Sequence, residues 1–241
     1  MILSHRYRFI FLKTRKTAGT SIEVWLQQHC GAEDVVTPVE PPEPGHRPRN
    51  HRGLFDPRPE LRRLDYFPDR PLRSWKWSLH DLLRRRRFYN HISARLVRDR
   101  IPAEVWDGYW KWCVERPAVD KVVSDYFMQR SQDAALGMDA YLAGHPLPIN
   151  HPIYCELDGS PLVDQVIPYT SLEEGLGALA GRLGIPFDGL HTRAKARYRP
   201  EGVSVADVVT PAHEARILEA FAEERRIGRA LGLDADPPRP D

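Results

Sequence analysis

Residues Arg8–Leu26 read RFIFLKTRKTAGTSIEVWL. A short apolar run, Phe9 to Leu12, leads into Thr14–Thr20, whose residues are cationic, hydroxyl-bearing or small. From Ser21 the apolar positions Ile22, Trp25 and Leu26 follow a helical spacing. Strand, loop and helix in this order form an anion cradle. The helix start presents unpaired N–H groups and the positive end of its dipole to the loop. Gly19 permits close approach of the backbone, and Thr17, Thr20 and Ser21 supply hydroxyl donors. A Walker A loop ends in Gly-Lys-Ser/Thr. Here the lysine, Lys16, comes at the start, which speaks against ordinary ATP chemistry.

Working outward, the first helix should end near His29-Cys30-Gly31, and Asp34–Thr37 reads as a short strand. Pro38–Pro71 holds the main cluster of the chain's 22 prolines, nine of them, without usable periodicity, and two readings are open, a surface excursion or a lid. Ser74–Arg87 reads as an amphipathic helix (Trp75, Trp77, Leu79, Leu82, Leu83) running into four arginines. Those arginines form either a solvated end or a basic wall for an anionic ligand. Ser93–Arg100 and Pro102–Asp107 are helical, and Tyr109–Val114 is a buried, aromatic-rich strand. The strand enters Glu115-Arg116-Pro117 and a helix with Val119, Val122, Val123, Tyr126 and Phe127 at helical spacing. This is a second strand–loop–helix unit, with Arg116 at the strand's end and Ser124 inside the helix.

Ser131–Ala143 is expected to continue as helix. Ile153–Leu157 and Leu162–Pro168, joined by Asp158-Gly159, read as a β-hairpin. Ser171–Glu174 reads as a capping box opening a helix that Gly184 ends, and Thr210-Pro211 opens the last helix. His191–Arg199 is strongly basic, and the tail 234–241, ending in DPPRPD, should be disordered. The reading is one α/β domain over 1–233 with 38–77 as an insertion.

The formal charge of +2 over 241 residues argues for neither nucleic acid nor a membrane surface. Three cysteines without metal-ligand spacing fit a reduced, cytosolic setting. No apolar run approaches a membrane span, and FIFL is too short for a signal-peptide core.

KTRKTAGTSIE, FYNHISARLVR, WKWCVERPAVDKVVSDYF and LVDQVIPYTSLEEGLGALAGRLGIP occur in that order. Together they resemble the bacterial, cytosolic-type members of the sulfotransferase family that use 3′-phosphoadenosine 5′-phosphosulfate (PAPS). That family also includes the polysaccharide O-sulfotransferases. The resemblance implies a three-layer, P-loop-kinase-like α/β fold around a central parallel sheet. It places Lys16, Thr17, Ala18, Gly19, Thr20 and Ser21 at the 5′-phosphosulfate, with Arg15 beside them. Arg116 and Ser124 match the 3′-phosphate pair, and His91 matches a histidine near the acceptor. The chain departs from the family's Arg-Asn-Pro-Trp at Arg116-Pro117-Ala118-Val119, and from its Arg-aromatic-Glu-Asn at Pro168-Tyr169-Thr170-Ser171.

These matches make PAPS the expected sulfate donor, with no metal expected, and a saccharide or small-molecule hydroxyl the acceptor. Lys16 faces the oxygen that gains charge as the bond to sulfur breaks. His91 is the candidate general base, with His51, His80 and His151 behind it. Lys195 and Arg199 close over the 3′-phosphate or belong to a solvated loop. A kinase-like phosphotransferase and a non-catalytic nucleotide-binding module are the alternatives.

Overall fold

The computed structural model describes residues 1–62, 71–191, 198, 200 and 202–233. A mixed five-stranded sheet lies at the centre, in the order β3-β1-β2-β4-β5. β2 (Phe9–Phe11), β4 (Trp110–Glu115) and β5 (Gln165–Pro168) run parallel, with Phe9 opposite Trp110 and Trp112 opposite Gln165. β1 (Ile2–Ser4) is antiparallel to both β2 and β3 (Val35–Val36). The expected central parallel sheet is therefore present only in part. A three-residue opening strand with no turn signature carries too little periodicity to be read, and it is β1 that makes the sheet mixed.

Both faces of the sheet are buried, as the unbroken apolar run of β2 requires. Phe9 and Phe11 point to one side with Trp112, Val114 and Ile167. There they meet α1 (Gly19–Leu26) and α9 (Leu172–Leu183) through Ile22, Leu26, Leu176 and Leu179. Ile10, Leu12 and Cys113 point to the other side. That side is covered by α4 (Ala94–Arg100), α5 (Ala103–Gly108) and α8 (His151–Tyr154). The alternation follows from the period-2 direction of side chains along a strand. A third core joins α6 (Ala118–Arg130), α7 (Met138–Gly144) and α10 (Pro211–Ala220), with α11 (Ala222–Ala230) beside it. Among the described residues no helix is long and apolar enough to cross a membrane.

Several local expectations are corrected. The helix after Ser131 is not continuous: α6 stops at Arg130, and α7 begins after an extended Gly137. Between them the Asp133 carboxylate accepts the Ala135 N–H, the local side-chain-to-backbone bond that competes with helix. No hairpin spans 153–168. Ile153 and Tyr154 belong to α8, only the bridge Cys155–Pro161 flanks the Asp158-Gly159 turn, and β5 pairs with β4 instead. The turn signal was sound (Gly159 has φ 84°), but Pro161 cannot donate to a ladder. Ser171 makes no capping bond, because Tyr169–Ser171 already form a tight helical turn running into α9. Gly184 does end α9 in the left-handed region, and Thr210 and His213 form a reciprocal cap on α10.

The 38–77 insertion is anchored through polar contacts. Arg49 donates to the carbonyls of Gln27, Cys30 and Gly31 beyond the end of α1. Arg100 of α4 pairs with Glu60 of α2 (Arg58–Arg62) at 2.6 Å and with Asp81 of α3 (Pro71–Leu83) at 3.1 Å. Ser78 also bonds Glu60, and its side of α3 is the buried one, while Trp77, Leu79 and Leu83 are exposed. The apolar spacing of α3 suggested the reverse. A buried arginine demanding carboxylates outweighs that stripe, because an unpaired buried charge costs more than exposed apolar area. The 234–241 tail lies outside the described residues.

Candidate functional site

The loop after β2 is held from below by buried partners. Lys13 is almost fully buried and its ammonium meets Glu23 of α1 at 2.6 Å. Its stem runs under Gly19, where a Cβ would lie 2.6 Å from Lys13 Cγ. Gly19 is thus required by Lys13 packing, a constraint that the ligand-approach reading did not contain. Thr14 Oγ1 donates to the Val114 carbonyl, so Thr17 Oγ1, 2.8 Å away, must be the donor to Thr14. The Thr17 hydroxyl therefore ties the loop to β4 and is not offered to a ligand. Thr20 and Ser21 remain on the first turn of α1. Lys16 and Ala18 adopt left-handed φ values of 60° and 57°, and no side chain caps the helix. The Ile22 N–H, bonding Ala18 O at 3.1 Å, begins the helical ladder, so the positive end of the α1 dipole lies at this loop.

Asn150, fully buried, clamps this loop from the N-terminal cap position of α8. Its Oδ1 accepts the Arg15 N–H at 2.8 Å, while its Nδ2 donates to the Arg15 carbonyl at 3.1 Å and to Glu115 at 3.2 Å. Nothing in Asn150-His151-Pro152 signals this role, because its partners are remote in sequence.

At the end of β4, Arg116 donates from Nε to Asp120 at 2.6 Å and from Nη1 to the Lys16 carbonyl at 3.0 Å. Its guanidinium lies 4.3 Å from the Tyr169 ring centre. The simple pairing with Asp120 exists, yet Arg116 also joins the two strand–loop–helix units. Ser124 stands half-buried on α6 over the same space. Lys16 Nζ is 3.4 Å from Met128 Sδ and 3.9 Å from Asp125 Oδ1. The sequence showed no obvious carboxylate near this lysine; the fold supplies Asp125, which Tyr141 also holds at 2.9 Å.

His91 occupies the turn before α4 at φ 57°, while Ser93 is the residue that caps that helix. His91 Nδ1 is 2.9 Å from the Lys13 carbonyl. A carbonyl only accepts, so Nδ1 carries the proton and Nε2 holds a lone pair. Burial, followed by the Lys13 charge, pushes the imidazole pKa down to about 3. The unfolded histidine takes a proton near pH 6.5 and the folded one does not. Stability is therefore unaffected above about pH 6.5 and falls as pH drops below it, by about 1.4 kcal/mol per unit. His91→Asn should flatten that limb, so wild type should lose roughly 2 kcal/mol more than the variant between pH 6.5 and 5 in urea unfolding. Parallel stability curves would contradict the burial of a neutral ring.

These groups line one cleft of about 660 Å³: the loop from Lys13 to Ser21, Asn90, His91, Arg116 and Ser124. Arg15, Lys16, Thr17, Ala18, Gly19, Thr20 and Ser21 are thus brought together with the second unit and with His91. Glu40 and Tyr169 also line it, and neither was expected. Tyr169 comes from the segment where the chain lacks the family's charged pair, and Glu40 from the proline-rich excursion whose composition masks single residues. Lys195 and Arg199 lie outside the described residues. Compared with protein-family models, with curated proteins and with solved structures, the chain finds no match.

Proposed function

We propose that the protein is a PAPS-dependent sulfotransferase on a P-loop-kinase-like α/β fold. The observation that carries this reading is the convergence of two strand–loop–helix units bearing cationic loops and of His91 on one cleft. The cleft's volume falls within the ordinary range for small-molecule sites. Its donors fit a bisphosphorylated nucleoside: the first turn of α1 suits one phosphate, and Arg116 with Ser124 suits the other.

In the transfer, the acceptor oxygen forms a bond to sulfur while the bond from sulfur to the 5′-phosphate oxygen breaks. The products are a sulfate ester, adenosine 3′,5′-bisphosphate and the proton of the acceptor hydroxyl. The chain contributes alignment and fixed charge. Lys16 offsets the charge developing on the leaving oxygen, and His91 Nε2 takes the proton. The anionic donor in the cleft favours the imidazolium and raises the low pKa of the empty site. Glu40 is the competing proton acceptor. His91→Ala is expected to lower kcat by about 10²- to 10⁴-fold with bisphosphate affinity little changed. An unaltered kcat, with the loss appearing in Glu40→Gln instead, would transfer the role to Glu40.

Arg116→Ala should weaken adenosine 3′,5′-bisphosphate by about 10- to 100-fold, as expected for a charge-assisted hydrogen bond. Because Arg116 also holds the Lys16 carbonyl, 5′-AMP should weaken too, but by only a few-fold. Equal losses in calorimetry would remove the 3′-phosphate assignment. The reading as a whole is tested by radiolabelled sulfate transfer from PAPS to saccharides and phenols. Magnesium-dependent ATP consumption would favour a kinase, and bisphosphate binding without transfer to any acceptor a binding module.

A further inference from the structure

A second cavity of about 340 Å³ borders the transfer cleft, and Glu40 and Asn90 line both. Its other walls carry Arg52, Arg84, Arg86, His51 and His80. Two segments that take no part in the phosphate-binding loops provide these cations, and backbone bonds fix them side by side. Gly53 N donates to Arg85 O, and Phe88 N to His51 O, each at 2.9 Å.

The four-arginine run is thereby divided. Arg87 turns away and spends its guanidinium on the Arg100 carbonyl at 2.7 and 3.1 Å. Arg84 and Arg86 line the cavity, where Arg86 lies 4.2 Å from the Tyr89 ring centre and 3.7 Å from Asp81. Arg52 and Arg84 are exposed and have no carboxylate partner among the described residues. His51 Nδ1 and Asn90 Oδ1 are buried without a hydrogen-bond partner there. Buried polar atoms are ordinarily satisfied, so these two invite a ligand group or water. Against three guanidiniums and two imidazoles, the lining holds a single carboxylate, Glu40.

Guanidinium forks match carboxylate and sulfate oxygens, whereas a neutral hydroxyl compound would gain little from displacing their water. We infer that this cavity seats an acidic group of the acceptor, so that the acceptor is a hydroxyl compound already bearing a carboxylate or a sulfate. The inference rests on the sulfotransferase reading and narrows its substrate class. The acceptor's acid group stays unreacted in the second cavity. Its hydroxyl, placed across the wall shared by Asn90 and Glu40, receives the SO3 unit and releases its proton as described above.

The test separates binding from turnover. Calorimetry at low salt would compare a uronate-containing disaccharide, an O-sulfated disaccharide and maltose, with wild type and with the double variant Arg52→Ser, Arg84→Ser. One acidic disaccharide should bind at least about tenfold more tightly than maltose, and the arm that binds identifies carboxylate or sulfate. The advantage should shrink with added salt. It should fall about tenfold in the double variant, whose affinity for adenosine 3′,5′-bisphosphate and melting temperature stay unchanged, since both arginines are exposed. Equal binding of maltose, no binding of either acid, or an advantage that survives both salt and substitution would overturn the inference. Failure of the sulfotransferase reading would show separately, as absence of bisphosphate binding and of sulfate transfer to every acceptor.

Discussion

Lys16→Ala is expected to reduce sulfuryl transfer by about 10³-fold or more while leaving the melting temperature within a few degrees of wild type. Removing one preorganised charge-stabilising donor typically costs 10²- to 10³-fold in kcat, and here the donor is a full positive charge. The fold should tolerate the change because the Lys16 ammonium pairs at long range with Asp125, whose carboxylate Tyr141 holds independently. The ammonium contacts Met128 Sδ at 3.4 Å and the Asp125 carboxylate only at 3.9 Å. The left-handed backbone at residue 16 is as strained for lysine as for alanine, so the substitution adds no strain. Arg15 cannot take over, because adjacent side chains diverge and Asn150 holds the Arg15 peptide on both its N–H and its carbonyl. Single-turnover measurement with PAPS checks the result, and wild-type turnover would refute the assignment.

The second large effect is on stability. Lys121 is completely buried on α6, with Nζ bonded to Glu115 at 2.6 Å and to Glu224 of α11. Burial alone would lower the lysine pKa, but the two carboxylates outweigh it and hold the group charged. Lys121→Met should destabilise the protein by about 3–5 kcal/mol, since it leaves two carboxylates facing each other away from water. With its cation gone, a carboxylate left there has a folded pKa further above the unfolded value near 4.3. The penalty is therefore full at neutral pH and shrinks as pH falls towards 4.3, where the pair can hold a proton. The damage should also reach the site. Glu115 accepts from Asn150 Nδ2, and Glu224 accepts from the Asn150 and His151 N–H groups. Bisphosphate affinity should fall together with stability. A urea-unfolding change below about 1 kcal/mol would show that the trio is dispensable.

Much of the site's skeleton was legible locally. The β2–loop–α1 unit and the β4–α6 unit follow from apolar runs, turn-forming residues and helical spacing within a few residues of one another. Gly184 and Thr210-Pro211 mark helix ends for the same reason. Two of the misreadings came from features with remote partners. The Asp158-Gly159 turn is real, but β5 finds β4 and not the segment before the turn. The apolar stripe of α3 was overridden by Arg100, which draws Glu60, Ser78 and Asp81 inward. Glu40, Asn150 and Tyr169 joined the site without any local signature.

Read alone, the amino-acid order determined that two strand–loop–helix units with cationic loops exist and which side chains carry their charge. Local backbone sterics and helix-end chemistry require no knowledge of the rest of the chain. Only the tertiary structure decided that the units share one cleft, through Arg116 reaching Lys16 across 100 positions and Asn150 reaching Arg15 across 135. It also turned Thr17 inward, gave Gly19 to Lys13, and divided the arginine run between a structural bond and a second cavity. Each of these depends on which distant group desolvates or satisfies a polar atom, and no pattern along the chain encodes that.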